Sequence, residues 1–412
     1  MMYCTRRALR CLPALISVLL AACATAPQDG VPEAPEPVVC PSCPACPPVA
    51  EKPADKPKAD PLQAAEWTDL PGWAADDAAQ AWGAILSSCR VMKAPAWQAS
   101  CEAARALGEK PATAAVRAFA EREWQPWRVV NADHSTEGLV TGYYEPLIRG
   151  SRTRSKQFDT PVYAVPDDLL VIDLGEQYPE LKNMRLRGRV EGRKVVPYYS
   201  RSQIEARSDK LGDKVLLWAA DPIDFFFLQV QGSGQVQLPD GSRVRIAYAD
   251  QNGHPYQSIG RWLVDKGELK VDQAGMEGIK AWARANPQRL DEMLNANPSF
   301  VFFREQAANG QGPNGSQGVP LTAGRSIAVD PRSVPLGAPV FLATSMPASD
   351  RPLQRLVVAQ DTGGAIKGGV RADFYWGFGA EAGAQAGKMR SRGQMWVLWP
   401  KGHTPPGAKP GA

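Results

Sequence analysis

The sequence predicts a mainly β protein with a helical N-terminal part. Two patterns carry that reading. From Leu139 onward the apolar residues come in short runs broken by Pro and Gly, which suggests a small barrel or sandwich. Before that point, residues 62–128 carry apolar residues at helical spacing. The chain has 412 residues, enough for a large core and more than one domain.

Residues 1–22 read as a lipoprotein signal peptide. Arg6, Arg7 and Arg10 make a basic start, and Leu12–Leu20 a short apolar core. Leu20-Ala21-Ala22-Cys23 then resembles a bacterial lipobox, which implies cleavage before Cys23 and lipidation of that cysteine. The alternative is an ordinary secretory signal cleaved after Ala22 or Ala24. Ala24 is not the Asp that retains lipoproteins at the inner membrane. The expected location is therefore the outer membrane of a Gram-negative cell, facing the periplasm. Residues 23–61 hold the lipidated cysteine and a Pro/Ala-rich linker with eleven prolines. Such a segment is semi-extended, at about 3 Å per residue, and could reach on the order of 100 Å. Cys40, Cys43 and Cys46 lie in it without a fourth zinc ligand and read as thiols that oxidise in the periplasm.

Residues 62–146 form the helical N-terminal part and lead into the barrel. Trp73, Ala74, Ala78, Trp82 and Ile85 predict a first helix, which Pro95 ends. A second runs from Trp97 to Gly108, and a third from Thr113 to Trp124. Cys89 and Cys101 face each other across the Pro95 turn and read as a disulfide. Short strands are expected at 139–145, 162–165, 195–199, 225–231 and 244–248, with a turn at Pro239-Asp240-Gly241. Helices are expected at 258–266 and 276–286, and another short one before Asn297-Pro298. Strand returns at 299–303. Residues 306–318 read as a mobile Gly/Asn/Gln-rich connection, and further strands follow at 326–329, 340–343, 356–359 and 395–398. The tail, 401–412, is expected to fray.

A net charge of +4 speaks against a nucleic-acid partner. None of the three histidines has a Cys or carboxylate at ligand spacing, so neither metal nor cofactor is expected. The stretch with most chemistry is Leu356–Gly379. An apolar run ends in Asp361, a loop with Gly363, Gly364, Gly368 and Gly369 follows, and Asp373 precedes Phe374, Tyr375 and Trp376. Two carboxylates, a backbone open to close approach and a set of rings suit acid–base work on a sugar. A strand, a turn and a helix-capping Asp would read the same way. Asp361-Thr362-Gly363 also resembles an aspartic-protease loop, which would require a homodimer because only one such triplet occurs.

A wider resemblance covers the chain from about Trp82 to Pro400. TGYYEP at 141–146, FFFLQVQGSG at 225–234, YADQNGHPYQSIGRWL at 248–263, NPSFVFFRE at 297–305 and the 356–379 stretch occur in one order. Together they resemble the membrane-bound lytic murein transglycosylase A family. Residues 319–399 are similar to its three-aspartate domain, with Asp330, Asp361 and Asp373 as the aspartates. The resemblance implies a double-psi β-barrel with a smaller inserted β-domain and a groove between them. Residues 147–305 would be the insertion and 306–400 the C-terminal part of the barrel. It implies a lyase that breaks the β-1,4 bond between N-acetylmuramic acid and N-acetylglucosamine and leaves 1,6-anhydro ends. Asp373 would be the single acid and base. Asp361 would tune it, bind the sugar, or simply bond the loop amides. Thr141, Tyr143, Tyr144, Gln231, Ser233 and Lys367 are the candidate substrate contacts, with barrel core the other reading for Tyr143. Expected partners are peptidoglycan strands, the membrane through the lipid, and cell-wall synthesis or division proteins. A peptidoglycan-binding lipoprotein without activity is the alternative.

Overall fold

The computed structural model describes residues 60–181, 184–308 and 310–408. Cys23, the signal segment, Cys40, Cys43, Cys46 and the end of the tail lie outside the described residues. No helix among the described residues is long and apolar enough to cross a membrane.

The chain opens with β1 (Leu62–Ala64), α1 (Trp82–Val91), α2 (Gln98–Ala106) and α3 (Thr113–Glu123). Strands β2 (Trp124–Val129) and β3 (Gly138–Glu145) follow. The middle of the chain forms β4 (Leu147–Ser151), β5 (Thr160–Tyr163), β6 (Leu170–Val171), β7 (Arg187–Glu191) and β8 (Lys194–Pro197). Then come α4 (Arg201–Glu205), β9 (Val215–Ala219), α5 (Pro222–Gln231), β10 (Ser233–Gln237) and β11 (Arg243–Gln251). Helices α6 (Ile259–Asp265), α7 (Met276–Ala285) and α8 (Leu290–Asn295) precede β12 (Val301–Gln306). The last part holds β13 (Ser326–Val329), β14 (Pro339–Ser345), β15 (Pro352–Asp361), β16 (Arg371–Phe378), α9 (Gly379–Lys388) and β17 (Arg390–Pro400).

One sheet runs β1-β2-β17-β14-β15-β13-β16-β3, and pairing of β3 with β17 closes its last six strands into a barrel. Consecutive strands β15 and β16 run antiparallel with β13 between them. Consecutive strands β16 and β17 likewise have β3 between them. These two crossings make the barrel a double-psi one. Strands β13 and β14 and the second half of β15 are nearly continuous apolar runs because both faces are covered. Val340, Leu356, Phe374 and Val397 belong to one buried cluster with Trp82, Phe119 and Trp124 of the N-terminal part. The chain leaves the barrel after β3 and returns at β13. In between, a second sheet, β12-β11-β10-β4-β9-β5, has its own core around Val162, Leu217, Ile246 and Phe302. A small sheet, β6-β7-β8, adds to it, and α6–α8 pack around Trp282 and Met293.

Three local expectations are corrected. Residues 225–231 are not a strand but lie in α5. The Asp221 carboxylate accepts the Ile223 amide at 2.7 Å, Pro222 occupies the first turn, and Gly232, at φ 82°, stops the helix. The run reads as strand because it is buried on two sides, with Phe225 in the sheet core and Phe226 against the helices. The first helix starts at Trp82 rather than Trp73. Residues 73–81 form short 3-10 turns interrupted at Asp76, whose backbone is extended (φ −70°, ψ 137°). The third helix ends at Glu123, and Trp124 enters β2, because the residue before Pro126 disfavours helix.

Asp76 is drawn out of the helix by a buried ion pair. Arg325 Nη1 lies 3.0 and 2.9 Å from its two oxygens, and the Leu356 amide donates to it at 2.8 Å. The same guanidinium donates to the carbonyls of Leu356 and Asp77 and to Gln80. Cys89 and Cys101 form a disulfide between α1 and α2, with Cα atoms 5.4 Å apart. Arg325→Leu strands a buried carboxylate and is expected to cost about 3–5 kcal/mol in urea unfolding. A loss below about 1 kcal/mol would show that the pair does not hold the N-terminal part to the barrel.

Candidate active site

The crossing of β13 between β15 and β16 sets the geometry. Ala328 on β13 is in register with Asp361 on one side and with Asp373 on the other. Thr141 of β3 is next to Asp373 in the same row. Strands are spaced about 4.8 Å apart, so the two aspartate backbones stand about 10 Å apart with only a methyl between them. Two residues along, Tyr143 pairs with Tyr375, their ring centroids 5.2 Å apart. These residues point away from the barrel interior and pack with Leu321 and Ile366.

Asp373 is partly buried, and Thr141 Oγ1 donates to its Oδ1 at 2.6 Å. Burial pushes its carboxyl up to about 6. The Thr141 hydrogen bond and the Arg371 charge pull down, and the Asp361 charge adds to the rise. The cation that opposes burial is thus Arg371. Lys367, a candidate substrate contact, is exposed in the glycine loop and makes no ion pair among the described residues. Asp361 is also raised by burial, against a set of hydrogen bonds. Its Oδ1 accepts the Ser316 amide, the Ser316 hydroxyl and the Thr362 amide, each at 2.9 Å. Its Oδ2 accepts the Tyr143 hydroxyl at 3.1 Å. Burial and the two aspartates hold the Tyr143 phenol far above its usual range, so it stays a donor. Asp330, the third aspartate, is a tie rather than part of this row. Burial raises it, but Arg332 and the amides of Gly368 and Arg332 outweigh that and bring it to about 2. The Gly368 contact fastens the glycine loop to the end of β13 at 2.9 Å.

A cleft of about 480 Å³ opens beside Asp361, between the barrel and the second sheet. Gln231 and Ser233 line it with Tyr143. Gln231 also accepts the Tyr144 amide at 3.0 Å, which fixes the end of α5 against β3. Tyr144 points to the other face of β3. Its hydroxyl approaches Met276 Sδ at 3.8 Å, and it lines a separate cavity between α7 and α9. The ring lies so close to α9 that a Cβ on Gly383 would come within 2.8 Å of it. The structure therefore gathers Asp361, Tyr143, Gln231 and Ser233 around the cleft, sets Asp373 and Thr141 in the strand row that leads away from Asp361 across β13, and leaves Tyr144 and Lys367 outside the cleft. Sequence reasoning missed Ser316, Arg185 and Arg304, which also line it. Ser316 lies in the connection expected to be mobile, yet that connection is held by Asp361, by Gln360 and, through Gln317, by Ser88. Glu145 is committed elsewhere, buried against Arg245 at 2.6 Å. No group of three or more His, Cys, Asp or Glu among the described residues could hold a metal ion.

A carboxyl raised in the fold stabilises the protein fully below its unfolded pKa and loses that contribution as pH rises through the folded one. Wild type thus carries a penalty above about pH 6 that Asp373→Asn lacks. The variant is expected to be more stable at about pH 8, by up to about 3 kcal/mol, and no more stable at about pH 3. Equal stability at both pH values would contradict the raised carboxyl.

Two family models match the chain: the MltA specific insert domain over residues 139–304 and the 3D domain over residues 325–399. The curated membrane-bound lytic murein transglycosylase A of Escherichia coli K12 is 34% identical over 290 residues, covering 68% of this chain and 70% of that protein. The crystal structure of MltA from Neisseria gonorrhoeae matches with a TM-score of 0.73 at 39% identity, covering 84% of this chain and 94% of that one. The crystal structure of E. coli MltA with bound chitohexaose matches with a TM-score of 0.62 at 30% identity, covering 85% and 97%. The order of motifs, the barrel with its inserted β-domain and these relatives lead to one conclusion: the chain belongs to the membrane-bound lytic murein transglycosylase A family.

Proposed function

We propose that the chain is a peptidoglycan lytic transglycosylase with Asp373 as its single acid and base. The observation that carries this is a partly buried carboxyl, raised to about 6, in a strand row that ends at the cleft lined by Asp361, Tyr143, Gln231 and Ser233. A glycosidase that adds water needs two carboxylates with free lone pairs. Here the second one, Asp361, already accepts four hydrogen bonds. That favours a tuning role for Asp361 through its charge on Asp373.

In the proposed reaction, the protonated Asp373 gives its proton to the glycosidic oxygen between N-acetylmuramic acid and N-acetylglucosamine. The C1–O bond breaks and positive charge develops at C1. The Asp373 carboxylate then takes the proton of the same sugar's C6 hydroxyl, and O6 closes on C1. The acid is regenerated, no water is consumed, and the product is a 1,6-anhydromuramyl end. Thr141 orients the carboxyl, and Tyr143, Gln231 and Ser233 offer polar groups along the groove. Residues 62–146 and 306–400 would act as the barrel body and 147–305 as the opposite wall. Lipid on Cys23 would hold the enzyme at the outer membrane, facing the periplasm, with the linker giving reach to the wall.

Digestion of murein sacculi by the chain from about residue 62, read by mass spectrometry, tests this. Wild type is expected to release muropeptides one water lighter than hydrolysis products, and Asp373→Asn to be slower by at least about 100-fold. Full-mass reducing ends would mean hydrolysis, and binding without products would mean a wall-binding lipoprotein. Because the acid must start protonated, kcat/KM is expected to fall about tenfold per unit above about pH 6. Thr141→Val removes a hydrogen bond to the charged form and is expected to move that limb to higher pH. A limb that stays in place would remove Thr141 from the account.

A further inference from the structure

The cleft beside Asp361 has a wall that the proposed reaction does not use. Three guanidinium groups line it, from Arg185 two residues before β7, from Arg187 at the start of β7 and from Arg304 on β12. Arg187 is neutralised. Its Nε lies 2.8 and 3.0 Å from the two oxygens of Asp250, and both side chains are largely buried. Arg185 and Arg304 are different. Arg185 donates to the Thr362 hydroxyl at 3.2 Å, and its guanidinium lies 5.8 Å from the Tyr248 ring centre. Arg304 donates to the Tyr248 carbonyl. These acceptors are neutral. Glu305, beside Arg304 in sequence, is taken by Arg152 at 2.9 Å. Among the described residues, Arg185 and Arg304 make no ion pair, and both are exposed. The carboxylate within the cleft, Asp361, is turned onto Ser316, Thr362 and Tyr143.

Two uncompensated guanidiniums on one wall of a sugar-sized cleft favour an anion. Their planar forks suit a carboxylate better than a hydroxyl, because each bond to an ionised acceptor is about twice as strong. We propose that Arg185 and Arg304 form a carboxylate-recognition site, which reads an acidic substituent of the glycan and so separates murein from neutral oligosaccharides. The inference rests on the transglycosylase reading and names a specificity determinant for it. Murein offers that group in two ways. A peptide-free muramyl residue carries a lactyl carboxylate, and a substituted one carries carboxylates on its peptide. Arg185 touches Thr362, the neighbour of Asp361, so the recognised group would sit next to the row that holds Asp373.

The test measures binding in an Asp373→Asn background, where bound glycan is not turned over. The ligands are chitohexaose, peptide-free murein strands and peptide-bearing murein strands of matched length, each at low and high salt. The parent is expected to prefer the carboxylate-bearing strands, and salt to weaken that preference. Adding Arg185→Gln with Arg304→Gln is expected to cut the preference by about 10- to 100-fold, and the two Lys replacements to restore part of it. Loss confined to peptide-free strands assigns the lactyl carboxylate, and loss confined to peptide-bearing strands assigns the peptide. A preference that survives the double Gln variant, or a parent that binds all three ligands alike, overturns the proposal. A parent that binds no glycan, with a wild type that forms no anhydro ends, overturns the transglycosylase reading and this proposal with it.

Discussion

Strand β13 lies between β15 and β16, and the position of both carboxylates follows from that crossing. Asp361 and Asp373 are joined by a loop, yet they meet across a third strand. A slip of one residue in either pairing would turn an aspartate into the barrel interior. Ala328, the residue between them, contributes only a methyl to the space they share. Asp330, two residues further on, binds the Gly368 amide and Arg332 and so holds the loop to the strand that sets the register. The ion pair of Arg325 with Asp76 secures the barrel from the other side, since Arg325 immediately precedes β13.

The three aspartates show how one chemical group is given three behaviours. Asp330 faces a guanidinium and two amides and stays ionised to about pH 2. Asp361 is pushed up by burial, but its oxygens are filled by donors from Ser316, Thr362 and Tyr143. Asp373 is pushed up by burial and by the charge of Asp361, and the Thr141 hydroxyl and the Arg371 charge take back only part of that, which leaves it at about 6. Environment, not residue type, separates a tie from the proposed tuner and the proposed acid–base group. The same arrangement explains why the site stores instability at neutral pH, where Asp373 is ionised against burial.

Much of this is legible in the sequence where the signal is local. The apolar run into Asp361, the glycine loop and the rings after Asp373 mark the candidate site, and Cys89 and Cys101 mark their own bridge. What the sequence hides is tertiary. Nothing in its periodicity says that Ala328 will stand between two aspartates. The strand-like run at 225–231 is a helix because Asp221, Pro222 and Gly232 fix its ends while both sides are buried. The helix expected from Trp73 breaks at Asp76 because a residue 249 positions away, Arg325, binds it. Ser316 has the composition of a flexible connection and owes its order to Asp361. Arg185 and Arg304 carry no pattern at all. Only the assembled cleft shows that their charge is left without a partner among the described residues.

In the proposed reaction Asp373 moves one proton out and one proton back while the sugar's own hydroxyl replaces water. Digestion of sacculi in oxygen-18 water separates this from hydrolysis. The newly formed muramyl ends are expected to carry no label, because O6 of the same residue closes the ring. Label at C1 of the new ends would contradict it, since water would then be the nucleophile and a second carboxylate would have to activate it.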